Sequence, residues 1–425
     1  MTGFDKVIGY DDIKAELIQF VDVLANTRKY RRLGVTSPKG ILLYGVPGVG
    51  KTLMAESFIA ATGRKKFVIR KDMADGDFIN HINEVFMAAK KNRPSIILLD
   101  DMDKFSEEKR YNSDAEEYVT VQSCIDMLNG DEVFCIATCN DIDSLPESLK
   151  RAGRFDKVIG ISLPKPNVAA EIIEHYLSDK HTASDINAVE IARFMEGHSC
   201  AELELVVNEA GIYAGYAGKN LIEQEDIIKA CLRVIFDAPE RLDSDEPDLC
   251  ARYASIHEAG HVVIAEVLEP GSVNVSSILG FTGDINGITR VRHDDDFAVS
   301  AEKQEHEVIR ILGGKAAVDV VCGEHDMGAA NDIERAYEIV EKFVASLHFY
   351  GFDCNNDYNM SEYWSEAKAY RITHEVERYY NQARKILIRN RDLLDDIAEA
   401  LLQKKTITFK DIEKIRRQSD MAGDA

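Results

Sequence analysis

Five short apolar runs mark the first part of the chain: GILLYG (40–45), KFVIR (66–70), SIILLD (95–100), VFCIATC (133–139) and KVIGISL (157–163). Each is continuous rather than alternating, so both faces of a strand built from it must be covered. Amphipathic stretches at 11–24, 52–61, 78–91 and 114–129 lie between them. Strand and helix taking turns in this way predict a parallel sheet with helices on both faces. A chain of 425 residues also exceeds one ordinary hydrophobic core, so further domains are expected.

The pattern changes at LPKPN (163–167). From 168 to 236 the apolar spacing is helical only. DAPERLDSDEPD (237–248) is polar, acidic and carries two prolines, as a linker would. Beyond it the reading is mostly helix, with one strand-like interruption around VNVSSIL and NGITRVR. The expected division is an α/β module at 1–164, a helical module at 165–237, a linker at 238–250, a second domain at 251–418 and a tail at 419–425.

Charge narrows the partners. The net charge is −23 and the isoelectric point about 4.9. Such a surface repels nucleic-acid phosphates and anionic lipid heads, and no polybasic block offsets it, so no nucleic-acid partner is expected. No apolar run approaches bilayer length, and the start, MTGFDKVIGYDD, lacks the regions of a signal peptide. The eight cysteines form no CxxC pair or disulfide-like framework, which points to reduced thiols and a cytoplasmic setting.

GVPGVGKT (45–52) follows one predicted strand and opens a predicted helix, and it fits GxxxxGK[ST] in full. Gly45, Gly48 and Gly50 let the backbone turn tightly, so that the loop, with Val46, Pro47 and Val49, aims N–H groups at phosphate oxygens. Lys51 reaches the β- and γ-phosphates of ATP, and Thr52 places a hydroxyl on Mg²⁺. In IILLDD (96–101), Asp100 is the natural metal-side carboxylate and Asp101 the group that orients the attacking water. Asn140, at the end of the fourth run, is placed to help hold that water. Each of these polar residues alone is a strand-end cap; together with the phosphate loop they read as an ATPase site.

HEAGH (257–261) is HExxH. On a helix, residues four apart lie on one face about 6 Å apart along the axis, so His257 and His261 can share one Zn²⁺. Glu258 is then the general base for a water activated by that ion. The surrounding ARYASIHEAGHVVIAEVL has helical apolar spacing. Three fixed positions recur by chance too often for the motif to decide alone, and a third protein ligand is needed. Glu324, His325, Asp326 and Asp332 are all open on the residues themselves, and Asp332 also suits the first turn of a helix for its charge alone.

The order and spacing of GVPGVGKT, IILLDDMD, ATCN and LKRAGRFDK resemble AAA+ ATPases. That resemblance implies that Arg151 and Arg154 reach the nucleotide of a neighbouring subunit, that the chain forms a ring, usually a hexamer, and that 165–237 is the lid. Ile8 and Gly9 join the nucleotide-binding set. HEAGHVVIAEVL, ILGGKAAVDVVCGE (311–324) and GAANDIERAYEIVEKFV (328–344) resemble, in order, the peptidase domain of FtsH-type ATP-dependent zinc proteases. This second resemblance implies a mainly α-helical zincin-like domain, polypeptide substrates and Asp332 as the third zinc ligand.

Three departures stand out. FtsH-type proteins carry N-terminal membrane-spanning helices, whereas this chain opens at the ATPase module, which implies a soluble version. The family has Glu after the metal-side Asp, and here Asp101 is one methylene shorter, so slower hydrolysis is expected. The family grips substrate with an aromatic residue in a pore loop. The matching position is Ala74, followed by Asp75, with Met73 and Phe78 as the flanking candidates to replace the aromatic. Weak unfolding power is the expectation.

Overall fold

The computed structural model describes residues 3–36, 38–73, 75–106, 115–128, 132–237, 248–280, 287–292, 300–323, 329–345 and 362–423. The chain forms two compact units, Met1–Val234 and Ile235–Ala425.

The first unit begins with helices α1 (Asp11–Ala25) and α2 (Thr27–Arg32). Strand and helix then alternate through β1 (Gly40–Tyr44), α3 (Lys51–Thr62), β2 (Lys65–Ile69), α4 (Asp75–Lys91), β3 (Ser95–Leu99), α5 (Glu116–Asp126), β4 (Val133–Cys139) and β5 (Lys157–Gly160). The five strands form one sheet in the order β2-β3-β4-β1-β5, and every pairing is parallel. The continuous apolar runs now have their physical reason. Leu42, Ile97, Leu99, Cys135 and Ala137 face one apolar cluster, while Ile41, Leu43, Ile96, Leu98, Phe134 and Ile136 face another. Successive side chains of a strand point to opposite faces, and here both faces are core.

Helices α6 (Pro166–Leu177), α7 (Ala188–Phe194), α8 (Cys200–Tyr216) and α9 (Gln224–Phe236) follow. Pro166 sits at the start of α6, where its missing N–H costs nothing. A reciprocal capping box between Ser199 and Glu202 starts α8. That start packs on the phosphate loop, because the Ala201 N–H donates to the Gly48 carbonyl at 3.1 Å.

The second unit contains α10 (Asp248–Leu268), β6 (Val273–Ser277), β7 (Ile288–Val291), α11 (Ala301–Ile311), α12 (Gly313–Cys322), α13 (Ala330–Ala345), α14 (Glu362–Arg389), α15 (Arg391–Lys404), β8 (Thr406–Thr408) and α16 (Phe409–Gly423). The strand-like interruption expected from the sequence is a three-stranded antiparallel sheet in the order β7-β6-β8. Its third strand escapes sequence reading because it is three residues long and pairs with Ser277 across 129 positions. Among the described residues, no helix is long and apolar enough to cross a membrane.

Candidate active sites

The zinc helix α10 owes its position to glycines. A Cβ on Gly260 would lie 2.3 Å from the Gly313 carbonyl oxygen and 2.6 Å from Ala317 Cβ. A Cβ on Gly313 would in turn meet the Gly260 oxygen at 2.9 Å. The two helices therefore touch backbone to backbone, which offsets the cost of about 1 kcal/mol that Gly260 brings to a helix interior. One residue further on, Gly314 leaves room for an imidazole, since a Cβ there would come 2.4 Å from His257 Nε2.

Three donor atoms converge in this space. His257 Nε2 and His261 Nε2 are 3.1 Å apart. Asp332 Oδ2, from the first turn of α13, lies 3.1 Å from the former and 3.2 Å from the latter. Tetrahedral zinc with bonds near 2.0–2.1 Å holds its ligand atoms about 3.3 Å apart, so the spacing suits that ion. The electronic arrangement suits it as well. His261 Nδ1 is 2.8 Å from the Arg310 carbonyl and must donate to it, which leaves a lone pair on Nε2. That lone pair faces a carboxylate oxygen, a repulsive pairing that a cation between them relieves. Burial pushes the Asp332 carboxyl up, but hydrogen bonds and positive charge from the His257 and His261 rings in their protonated form outweigh burial and hold it well below the ordinary carboxylate range, so this point favours positive charge whether protons or a cation supply it. Among the described residues this is the only cluster of three or more such groups that could hold a metal. Glu324, His325 and Asp326 lie outside the described residues.

Glu258 is buried beside the cluster. Its Oε2 accepts a 2.6 Å hydrogen bond from Thr289 Oγ1 on β7. A Cβ on Gly287 would lie 2.5 Å from its Oε1. The Arg310 carbonyl, Gly314, Gly287 and Thr289 are the parts of this site that sequence reasoning missed. Gly314 had a visible signal, the GG pair within ILGGKAAVDVVCGE.

The nucleotide site lies where β1 meets α3. Gly48 and Gly50 have φ of 82° and 88°, in the left-handed region that glycine adopts without strain. Lys51 folds back, donating to the Gly45 and Val46 carbonyls at 2.8 and 2.9 Å. Burial pulls its pKa down, and the nearby Asp101 and Asp103 carboxylates resist that pull. Thr52 donates to Asp100 Oδ1 at 3.1 Å, so the two groups expected on the magnesium side do meet.

Asp100 is almost fully buried and well supplied with donors. Thr138 donates to Oδ1 at 2.8 Å, and Arg70, at the end of β2, pairs with Oδ2. Burial raises the Asp100 pKa, but hydrogen bonds from Arg70, Thr138 and Thr52 outweigh it and leave the carboxyl below its ordinary value. Asp101 has φ of 56°, donates its N–H to Thr138 Oγ1 at 2.9 Å, and pairs with Lys104 at 2.8 Å. Asn140 donates from its backbone and its side-chain amide to Asp103, at 3.0 Å each.

Ile8 lines a cleft at the base of the loop, along with Val49, Gly50 and three residues of α6 and α8, His175, Tyr176 and Cys200. Those three side chains were not anticipated from the sequence. Gly9 has φ of 65°, and a Cβ there would strike Val168 of α6 at 2.3 Å.

The two arginines of LKRAGRFDK differ. Arg151 is exposed, and its side chain has no partner among the described residues. Arg154 forms a fork to Asp126, with contacts of 3.1 and 2.8 Å, and also donates to Gln122 and the Ser148 carbonyl. Ala74 lies outside the described residues, as does the side chain of Asp75. Met73 is exposed, but Phe78 is fully buried in an edge-to-face contact with Phe105. The expectation that Phe78 could replace the missing pore aromatic is therefore corrected. It is a core residue, packed in the apolar cluster on one face of the sheet.

Two family models match this chain. Residues 41–163 match the family described as "ATPase family associated with various cellular activities (AAA)", and residues 251–415 match "Peptidase family M41". The chain is 31% identical to "ATP-dependent zinc metalloprotease FtsH 2" of Thermoanaerobacter sp., over 97% of this chain and 82% of the relative. It is 30% identical to "ATP-dependent zinc metalloprotease FtsH" of Bacillus subtilis, over 97% of this chain and 69% of the relative. A phosphate loop on a five-stranded parallel sheet, followed by a helical unit that gathers two histidines and an aspartate, is accounted for at once: the chain belongs to the FtsH family of ATP-dependent zinc metalloproteases.

Proposed function

We propose that His257, His261 and Asp332 hold the catalytic zinc and that Glu258 is the general base of peptide hydrolysis. The observation that carries this reading is the convergence of the three ligand atoms within 3.2 Å of one another, with Glu258 beside them on the same helix. Bound there, zinc supplies Lewis acidity to water and to a peptide carbonyl. Glu258 takes the proton of the attacking water and returns it to the leaving amine. His261, fixed through the Arg310 carbonyl, keeps one tautomer throughout, and Gly314 provides the space that the His257 ring occupies.

At the other site, Lys51 and the loop amides bind the phosphates of ATP, while Thr52 and Asp100 take the magnesium side. Asp101 and Asn140 orient the attacking water. Arg151 is the cation offered to the nucleotide of a neighbouring subunit in a homo-oligomeric ring, hexameric by analogy with AAA+ proteins, and its exposure supports that role. Arg154 joins it once released from Asp126. The ring feeds polypeptides to the zinc sites. An exposed Met73 beside an acidic stretch is a poor grip, so the substrates are loosely folded or already unfolded chains.

A second reading has a specific observation in its favour. Lys104 holds Asp101 at 2.8 Å, and Asp101 is already short for its task. In that reading the ATPase module mainly assembles or gates the ring. Two measurements decide. Glu258→Gln is expected to abolish casein cleavage and spare ATP turnover; surviving cleavage would remove Glu258 from the mechanism. Full degradation of an unfolded protein with a non-hydrolysable ATP analogue would favour the gating reading over threading.

A further inference from the structure

Thr289 is not called for by the fold alone. It lies on β7 directly opposite Ser276 of β6 in the antiparallel ladder. The two hydroxyl oxygens are 2.8 Å apart, and Thr289 Oγ1 is 2.6 Å from Glu258 Oε2. An ionised carboxylate only accepts, so the Thr289 proton must point at Glu258. The Thr289 oxygen is then left to accept from Ser276, whose side chain is fully buried. The direction of the chain is thereby set: Ser276 to Thr289 to Glu258.

Gly287 completes the arrangement from the other side. A side chain there would collide with Glu258 Oε1, since its Cβ would come within 2.5 Å. One carboxylate oxygen is thus engaged by a hydroxyl, and the other packs against Gly287, in room that only a glycine leaves. A free glutamate side chain has three rotatable bonds and would spread over several rotamers. A hydrogen bond to one oxygen removes much of that freedom without using the oxygen that receives the proton.

We infer that Thr289, backed by Ser276, is a positioning residue that orients Glu258 for proton transfer by holding Oε2 and leaving Oε1 free. This rests on Glu258 being the general base. The rival explanation is that Thr289 is a β-branched residue suited to a strand. The two explanations separate cleanly, because valine keeps the shape and the strand preference while serine keeps the hydroxyl.

The experiment measures cleavage of a fluorogenic peptide by the full-length protein, with bound zinc and melting temperature determined for every variant. Thr289→Val is expected to lower kcat about tenfold or more, the usual consequence of removing a hydrogen bond to a charged group. KM should stay within about twofold, and zinc content should be unchanged. Thr289→Ser should recover most of the lost rate. Ser276→Ala, which leaves the direct hydrogen bond in place, should cost about threefold. Wild-type kcat in Thr289→Val would overturn the inference. So would a serine variant as slow as the valine one, or a rate loss that merely tracks zinc loss. If Thr289→Val does not fold, Ser276→Ala decides by the same kcat criterion. Glu258→Gln is measured alongside. Cleavage retained there refutes the base assignment itself, whereas an inactive Glu258→Gln beside a fully active Thr289→Val refutes only the positioning role.

Discussion

The zinc site and the nucleotide site differ in how far each is assembled before its ligand arrives. At the zinc site, backbone contact between α10 and α12 brings the donor atoms to within 3.2 Å, and His261 is already held in the tautomer that exposes its lone pair. The three ligand atoms already stand at about the spacing that a tetrahedral ion requires. At the nucleotide site the functional groups are engaged elsewhere: Lys51 with loop carbonyls, Asp100 with Arg70 and Asp101 with Lys104. Nucleotide binding there must exchange partners. A site that needs only its ion is built on packed helices. The groups at the phosphate loop are held instead by charged pairs and loop carbonyls.

Asp332→Ala should break the first half of this contrast most severely. Zinc retention and casein cleavage should both disappear, while ATP turnover persists; metal analysis after gel filtration reads the outcome. Full zinc occupancy in that variant would show that α13 is not needed.

Gly314→Ala comes next. Its Cβ would sit 2.4 Å from His257 Nε2, so the ring must rotate away. Zinc affinity should fall about tenfold to a hundredfold, the range seen when a ligand's supports are disturbed. Competition with a chromophoric chelator measures it, and an unchanged affinity would mean that α12 does not hold the ring.

Chelation should lower the melting temperature of the second unit by several degrees, because an ion at about a thousand times its Kd contributes about 4 kcal/mol. Calorimetry with and without chelator tests this, and an unshifted transition would argue against a tightly held ion.

Arg70→Ala probes the other half. Freed from Arg70, Asp100 should bind magnesium with nucleotide more readily, and half-saturation should fall several-fold in a binding assay with a fluorescent ATP analogue. Lys104→Ala should have the smallest effect, about twofold or less on the same curve, because Lys104 itself is solvent-exposed. If neither variant changes the magnesium requirement, the engaged state described for this site has no functional weight.

Legibility from the sequence followed the range of the interactions. The phosphate loop and HExxH are local: a strand–turn–helix and one helical turn place those side chains, so spacing alone identifies them. The continuous apolar strands were equally readable, since alternate residues meet two different cores. Asp332 was not readable by spacing. It stands 71 positions after His261 (332 − 261), and a helix first turn favours an aspartate for its own electrostatic reasons. Phe78 misled for a related reason: an aromatic beside a loop reads as available until its burial against Phe105 is known.

By itself, then, the sequence determined the parallel sheet, the phosphate loop and the HExxH helix with Glu258 beside its first histidine, because each depends on the geometry of a single element. Only the tertiary structure decided that Gly260 and Gly313 draw two helices into contact, that Gly314 seats His257, that the Arg310 carbonyl sets the tautomer of His261 and that Thr289 meets Glu258. It alone separated Arg151 from Arg154. Such contacts join residues tens of positions apart, and no periodicity in a chain records which two distant elements will pack together.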